Sequence, residues 1–346
     1  MRIGTRTVVG VLAGLAVATT WAGDARSVGP LPLLSGTRLS GPTRLHLVVA
    51  NVPPFVLDVD RHAVRRVGAL HVADGVVWVM PVGTEALAVV ERHCGSCGPP
   101  LRGYLIKADG SARLLAAGLS MIASRRAGAV WVLSGDRVRG CAVRLVPSRG
   151  VALRVPCGRL AGETNRGLLL GTAGGVLLLD RSTGRVLPRP VGAVAAGIPL
   201  GGDLVLGHGA DGVLSLVDLA TGRRRTLRWP SILAGLDGVL AQPHGPLVAV
   251  GFADPAYPGP QQAEDLFLLD TRTGRFTHVP GFPAQMDLKF STMAWTSDDR
   301  LVMLFRAAGT RTVGVYRPGD RAVALRRVRL PAPDGGSDSF VPIVTG

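Results

Sequence analysis

The sequence predicts an all-β chain folded as a seven-bladed β-propeller of four-stranded antiparallel blades, its ring closed by the C-terminal strand. Three observations predict it. An apolar strand, a tight polar turn and a second strand recur seven times. The composition, with 47 Gly, 25 Pro and only 5% aromatics in 346 residues, suits many short strands joined by turns. One more apolar segment stands beyond the point at which the seventh unit is complete. A hydrophobic content of 47% excludes a disordered chain.

Residues 1–25 are set aside first. Arg2 and Arg6 form a short positive start, Val8 to Ala18 is an uncharged apolar run, and small residues around Ala22 and Ala25 supply a cleavage site. This is the layout of a secretory signal peptide. Because the run falls slightly short of the roughly 20 apolar residues of a membrane span, the alternative is an uncleaved anchor. Residues 26–41 are expected to be a linker and residues 42–346 the propeller.

The repeat is clearest where Asp180, Asp218 and Asp270 each open a turn running to Gly-Arg, at Gly184-Arg185, Gly222-Arg223 and Gly274-Arg275. Asp and Thr side chains in such a turn bond its amides, and Gly supplies the positive φ. Weaker copies end strands at Asp58, Lys107, Pro147 and Tyr316-Arg317. Successive marks lie between 33 residues (Pro147 to Asp180) and 52 residues (Asp218 to Asp270) apart, around the ~40–50-residue period of a blade. Each unit has a preceding strand, beginning at Leu45, Leu87, Val130, Leu168, Leu204, Leu247 and Leu301, and most have a weaker one before that. Ser339–Val344 is expected to be the innermost strand of blade one, with residues 45–67 supplying its other three. Pro342 there suits only a position whose N–H would face away from the ladder. The rival for that slot is Gly36–Ser40.

Ala294-Trp295-Thr296-Ser297-Asp298-Asp299-Arg300-Leu301 is similar to the W-x-x-D-G-R strand turn of many propellers. Over roughly residues 42–345 the chain resembles the TolB-like, quinoprotein-like and WD-repeat β-propellers, and the resemblance implies an exported bacterial member of that group. The Gly-His…Trp-Asp pair of true WD repeats, the sialidase Asp box and the per-blade Trp of quinoprotein dehydrogenases are absent. The shared motifs are structural and bear on fold, not activity.

In a propeller the loops between second and third strands gather on one face with the inter-blade connections. Two of these loops are long. Ala253–Asp265 carries Asp254, Tyr257, Gln261, Gln262 and Glu264 on a Pro-stiffened frame; Arg92–Arg102 carries Arg92, His93 and Arg102. Loops longer than a turn requires are more often functional. Arg137, Arg139, His208 and Asp211 belong to shorter loops on the same face. The carboxylates of Asp254, Glu264 and Asp265 are expected to be solvated, and His208 with Asp211 to serve turn chemistry. Cys94-x-x-Cys97 fits a redox motif, half a zinc site or a small disulfide loop. Four Cys in an exported chain favour two disulfides, Cys141–Cys157 across the third and fourth strands of blade three and Cys94–Cys97. No metalloprotease, nucleophile-elbow or phosphate-loop motif occurs, so no catalytic residue, cofactor or metal is expected.

The formal charge is +15, nearly all from Arg. For an exported chain this implies an envelope protein, a glycan or an anionic wall polymer as partner. Nucleic acid is not expected, because no basic run is interleaved with aromatics. The expected role is a monomeric, non-enzymatic binding or scaffold module presenting loops on one face. The alternative is a propeller enzyme, an oxidoreductase or a polysaccharide lyase or hydrolase, which needs polar side chains from several blades around the central channel.

Overall fold

The computed structural model describes residues 31–345 apart from 51–53, 69, 71–74, 92–100, 127, 137–139, 149, 188–195, 209–212, 234, 255–262, 286–292, 308–309 and 332–338. Seven small antiparallel sheets form a ring, a seven-bladed β-propeller, and no described helix is long and apolar enough to cross a membrane. Listed from the channel outward, blade one is Phe340–Val344, Leu45–Val49, Phe55–Asp58 and Ala63–Arg66. Blade two is Gly75–Val82, Glu85–Glu91, Leu101–Ile106 and Ala112–Gly118; blade three is Ser120–Ala123, Val130–Asp136, Gly140–Val146 and Leu153–Val155. Blade four holds Arg159–Glu163, Leu168–Thr172 and Gly175–Leu179, with a lone bridge between Leu179 and Val186 where a fourth strand would lie. Blade five is Ala196–Pro199, Leu204–His208, Leu214–Asp218 and Arg224–Thr226. Blade six is Gly235–Ala241, Leu247–Ala253, Ala263–Asp270 and Arg275–His278, and Ala284–Gln285 pairs with its third strand. Blade seven is Met293–Trp295, Leu301–Ala307, Thr310–Tyr316 and Ala324–Arg327. Four strands per unit therefore holds except at blade four, where described residues supply three.

The seven marks read from the sequence all fall at the end of third strands, and the turn chemistry is as expected. In blades four, five and six the Gly amide donates to the Asp carbonyl (2.9, 2.8 and 2.7 Å), and Gly184, Gly222 and Gly274 sit at φ 72, 72 and 71°. Asp180 accepts from the Ser182 and Thr183 amides and hydroxyls, which hold its carboxyl down at about 2.

Phe340–Val344 closes the ring against Leu45–Val49. The Ala50 amide bonds the Ser339 carbonyl at 2.6 Å and the Thr345 amide bonds the Arg44 carbonyl at 3.1 Å. Bonded pairs alternate along an antiparallel ladder, so Leu47 and Pro342 form a non-bonded pair and the missing N–H of Pro342 would face the channel. The same alternation, counted from the Leu200–Leu204 bond at 2.9 Å, frees Pro199. All three prolines within described strands, Pro81, Pro199 and Pro342, lie on innermost strands, where one edge is unpaired.

The rival for the innermost slot goes elsewhere. Thr37–Arg38 runs parallel to Ala324–Arg327 as a fifth strand on the outer edge of blade seven, and Leu34 is buried between blades six and seven. Part of the stretch expected as a linker thus contacts the ring. A clamp fixes it there. Arg326 donates to Asp60 Oδ1 (2.9 Å) and to the carbonyls of Val59, Leu39 and Gly41. Asp60 also accepts from the amides of Thr43 and Arg44 and from the Thr43 hydroxyl.

Seven apolar clusters fill the seven junctions between neighbouring blades. Each fully buried Leu or Val there contributes about 1.5–3 kcal/mol. Among the described residues, the junction of blades four and five has the fewest buried members, Leu169, Val176, Leu178, Val205 and Leu219, with Ala161, Leu187 and Val217 packed against them. The Cys141–Cys157 disulfide is present with Cα atoms 5.1 Å apart. Its placement corrects the sequence reading in one respect: the residue opposite Cys141 is Val155, and Cys157 lies past the fourth strand, diagonally across.

Two predictions follow from ring closure. Truncation after Pro333 removes the buried Phe340, Val341 and Ile343 and is expected to cost on the order of 5 kcal/mol, read as a lowered Tm with aggregation through the bared Leu45–Val49 edge. Partial burial pushes the Asp60 carboxyl up, but the bonds from Thr43, Arg44 and Arg326 outweigh it and bring it from 3.8 to about 2. Its contribution is therefore full above pH 3.8 and is lost as pH falls through about 2. Asp60→Asn is expected to lose roughly 1–2 kcal/mol at pH 7 after solvent screening, with the difference from wild type shrinking in acid unfolding curves.

Candidate functional site

The loop face singled out by sequence is described only at its roots. Arg92, His93, Cys94, Cys97, Arg137, Arg139, Asp211, Tyr257, Gln261 and Gln262 lie outside the described residues. Arg102 belongs to a strand and not to a loop, paired between Val90 and Ala117 in blade two. His208 ends the second strand of blade five opposite Leu214.

The carboxylates at the root of the 255–262 loop are not solvated, contrary to expectation. Asp254, Glu264 and Asp265 are 5%, 2% and 3% exposed. Glu264 and Asp265 are strand residues, paired with Ala253 and Phe252. Asp265 is held on both oxygens, accepting from the Ser231 hydroxyl at 2.7 Å and meeting His278 Nε2 at 2.6 Å. Phe267 stacks beside that imidazole at 4.6 Å between ring centres. The arrangement ties the third strand of blade six to its fourth strand and to the segment around Ser231 that leads into the blade.

Around the channel the innermost strands of blades one to five touch in succession, as do those of blades six, seven and one. Val, Ala, Gly, Ile, Leu and Met dominate them; Arg159, Glu163 and Asp237 are their charged members among the described residues. Arg159 of blade four lies over the Trp78 ring of blade two at 5.4 Å, a cation–π contact, and burial lowers the Arg159 pKa. No group of three or more His, Cys, Asp or Glu among the described residues is placed to hold a metal ion.

A cavity of about 540 Å³ opens on the opposite face, at the seam of blades three and four. Three turns build it. Ser124 to Arg126 come from the first turn of blade three, Glu163 and Asn165 from the first turn of blade four, and Arg181 from the Asp180 turn. Glu163 is the hub. Its Oε2 accepts from the Ser124 hydroxyl (2.9 Å) and the Arg125 amide (2.7 Å), and its Oε1 pairs with Arg181 Nη1 at 3.0 Å. Asn165 is gripped from both sides: Arg125 Nη1 donates to its Oδ1, and Arg181 Nη2 to its carbonyl at 2.8 Å. Trp131 and Leu145, paired across neighbouring strands of blade three, supply the apolar lining. Sequence reading missed this site because its residues sit on short turns that each look self-sufficient. The one signal was Arg beside acid in consecutive units.

No protein-family model and no curated protein matches the sequence. Among solved structures, the ring is similar to a chain in the crystal structure of the mitotic checkpoint complex, with a TM-score of 0.51, 15% identity, and coverage of 86% of this chain and 87% of that one. That chain is a WD40 β-propeller. The fold is WD40-like. At such low identity the similarity concerns fold alone.

Glu163→Ala is expected to destabilise the ring by about 1–3 kcal/mol, because it strands the Arg181 guanidinium and the Ser124 and Arg125 donors. The measurement is a urea midpoint, with Glu163→Gln losing less than Glu163→Ala.

Proposed function

We propose that the chain is an exported binding scaffold that holds an anionic partner of the cell envelope on the perimeter of its ring. One observation carries this. The fourth strands of six blades, with Arg185 beside the Val186 bridge of blade four, bear Arg65, Arg66, Arg113, Arg154, Arg185, Arg224, Arg225, Arg275, Arg326 and Arg327, and contain no Asp or Glu; Thr37–Arg38, outside the fourth strand of blade seven, adds Arg38. Edge strands are commonly guarded by charge, but guarding does not require a single sign, and acids would serve as well. A one-sign belt on every blade creates a continuous positive field, which attracts and concentrates a polyanion. Arg65, Arg225 and Arg326 also bond carbonyls of neighbouring blades; the others have no partner among the described residues or, like Arg113 near Glu85 at 3.6 Å, are only loosely paired. The Cys141–Cys157 disulfide and the layout of residues 1–25 support export. The apolar innermost strands favour binding over catalysis. In this reading the elaborated loops supply a second contact that selects among polyanions.

The test is co-sedimentation with poly(glycerol phosphate) and with anionic vesicles across a salt series. Affinity is expected to fall steeply with salt, and Arg66→Glu, Arg224→Glu and Arg327→Glu combined to weaken it at least tenfold at unchanged Tm. If those substitutions change nothing, while replacing 255–262 by Gly-Gly abolishes binding, the loop face is the primary surface and the perimeter reading fails.

A further inference from the structure

We infer that the cavity between blades three and four is a separate binding site for a short acidic peptide segment, one carrying a carboxylate next to an apolar side chain. The inference starts from a count of donors and acceptors. The lining brings three guanidinium groups, on Arg125, Arg126 and Arg181, against one carboxylate, on Glu163. Both Glu163 oxygens are already engaged, and Asn165 spends its side-chain and main-chain oxygens on Arg125 and Arg181. The Arg126 guanidinium is exposed and has no partner among the described residues. Arg and Trp carry donors only, so what the cavity lacks is acceptors and negative charge. An occupant must bring both.

A second observation points the same way. Trp131, only 7% exposed, and Leu145 line the cavity beside the arginines and give it an apolar wall that a bare inorganic anion would not cover. A peptide segment supplies a carboxylate for the arginines and an apolar side chain for that wall together. The volume of about 540 Å³ is within the range of ligand sites. The double grip on Asn165 fixes Arg125 and Arg181 before anything binds, which lowers the entropy cost of binding. The site faces away from the loops and is distinct from the basic perimeter.

The probe is a pool of N-acetylated, C-amidated hexapeptides with Glu fixed at one central position and the others randomised, compared with the same pool carrying Gln. Binding is followed by calorimetry and by the indole N–H resonance of Trp131, assigned through Trp131→Phe. The Glu pool is expected to bind about tenfold or more tightly than the Gln pool, to select Leu, Ile or Phe beside the acid and to shift the Trp131 resonance. Arg126→Ala is expected to weaken binding roughly tenfold at unchanged Tm, since that side chain is exposed and bonds no other described residue. Equal affinity for the two pools, no binding of either, an unmoved Trp131 resonance or an inert Arg126→Ala each overturns the inference. So does displacement by sodium glutamate or inorganic phosphate at equal concentration, which would make the cavity a simple anion site. The perimeter substitutions are expected to leave peptide affinity unchanged.

Discussion

The pairing of Phe340–Val344 with Leu45–Val49 is the interaction on which the rest of the structure depends. It joins the two ends of the sequence in one ladder, so that blade one is complete only when the last strand arrives. Without it two sheets keep bare edges and two apolar junctions lose a wall, because Phe340 packs toward blade seven while Val341 and Ile343 pack toward blade two. The hydrogen-bond alternation that lets Pro342 join this ladder also explains where the other strand prolines sit. The outer side of the closure is fixed independently by Arg326 on Asp60 and by Arg300, whose Nη2 donates to the Thr43 carbonyl at 3.1 Å.

Arginine serves two physical purposes in this ring. Some guanidiniums reach from one blade to a main-chain carbonyl of the next: Arg65 to Asp109, Arg166 to Leu219 and Arg225 to Arg272. A long side chain with five fixed donors suits that role, because it spans a gap between sheets that no backbone ladder crosses. Others, such as Arg66, Arg224 and Arg275, are exposed on edge strands and have no partner among the described residues. The distinction separates charge that maintains the fold from charge available to a partner, and composition alone does not reveal it.

How much was legible in the sequence follows from the range of each interaction. The turns at Asp180, Asp218 and Asp270 are local, fixed by side chains two and three residues away, so blade number, strand order and ring closure could all be read. The disulfide was read from spacing, but a diagonal rather than direct placement of Cys157 depends on where the fourth strand stops. The burial of Glu264 and Asp265 was missed because the loop was drawn too long; their strand already begins at Ala263, and His278 and Ser231 that receive Asp265 come from another strand and a turn. The cavity around Glu163 was invisible for the same reason: its three turns meet only because two blades stand side by side.

The double fastening of the ring has a mechanical consequence. The shared ladder of Phe340–Val344 with Leu45–Val49 lies at the channel, whereas the Arg326–Asp60 clamp lies at the outer side of the same joint. A pull on Thr37–Arg38, which pair with the last strand of blade seven, is therefore shared between blades seven and one. To pry them apart, both fastenings must give together, like a clasp backed by a safety catch.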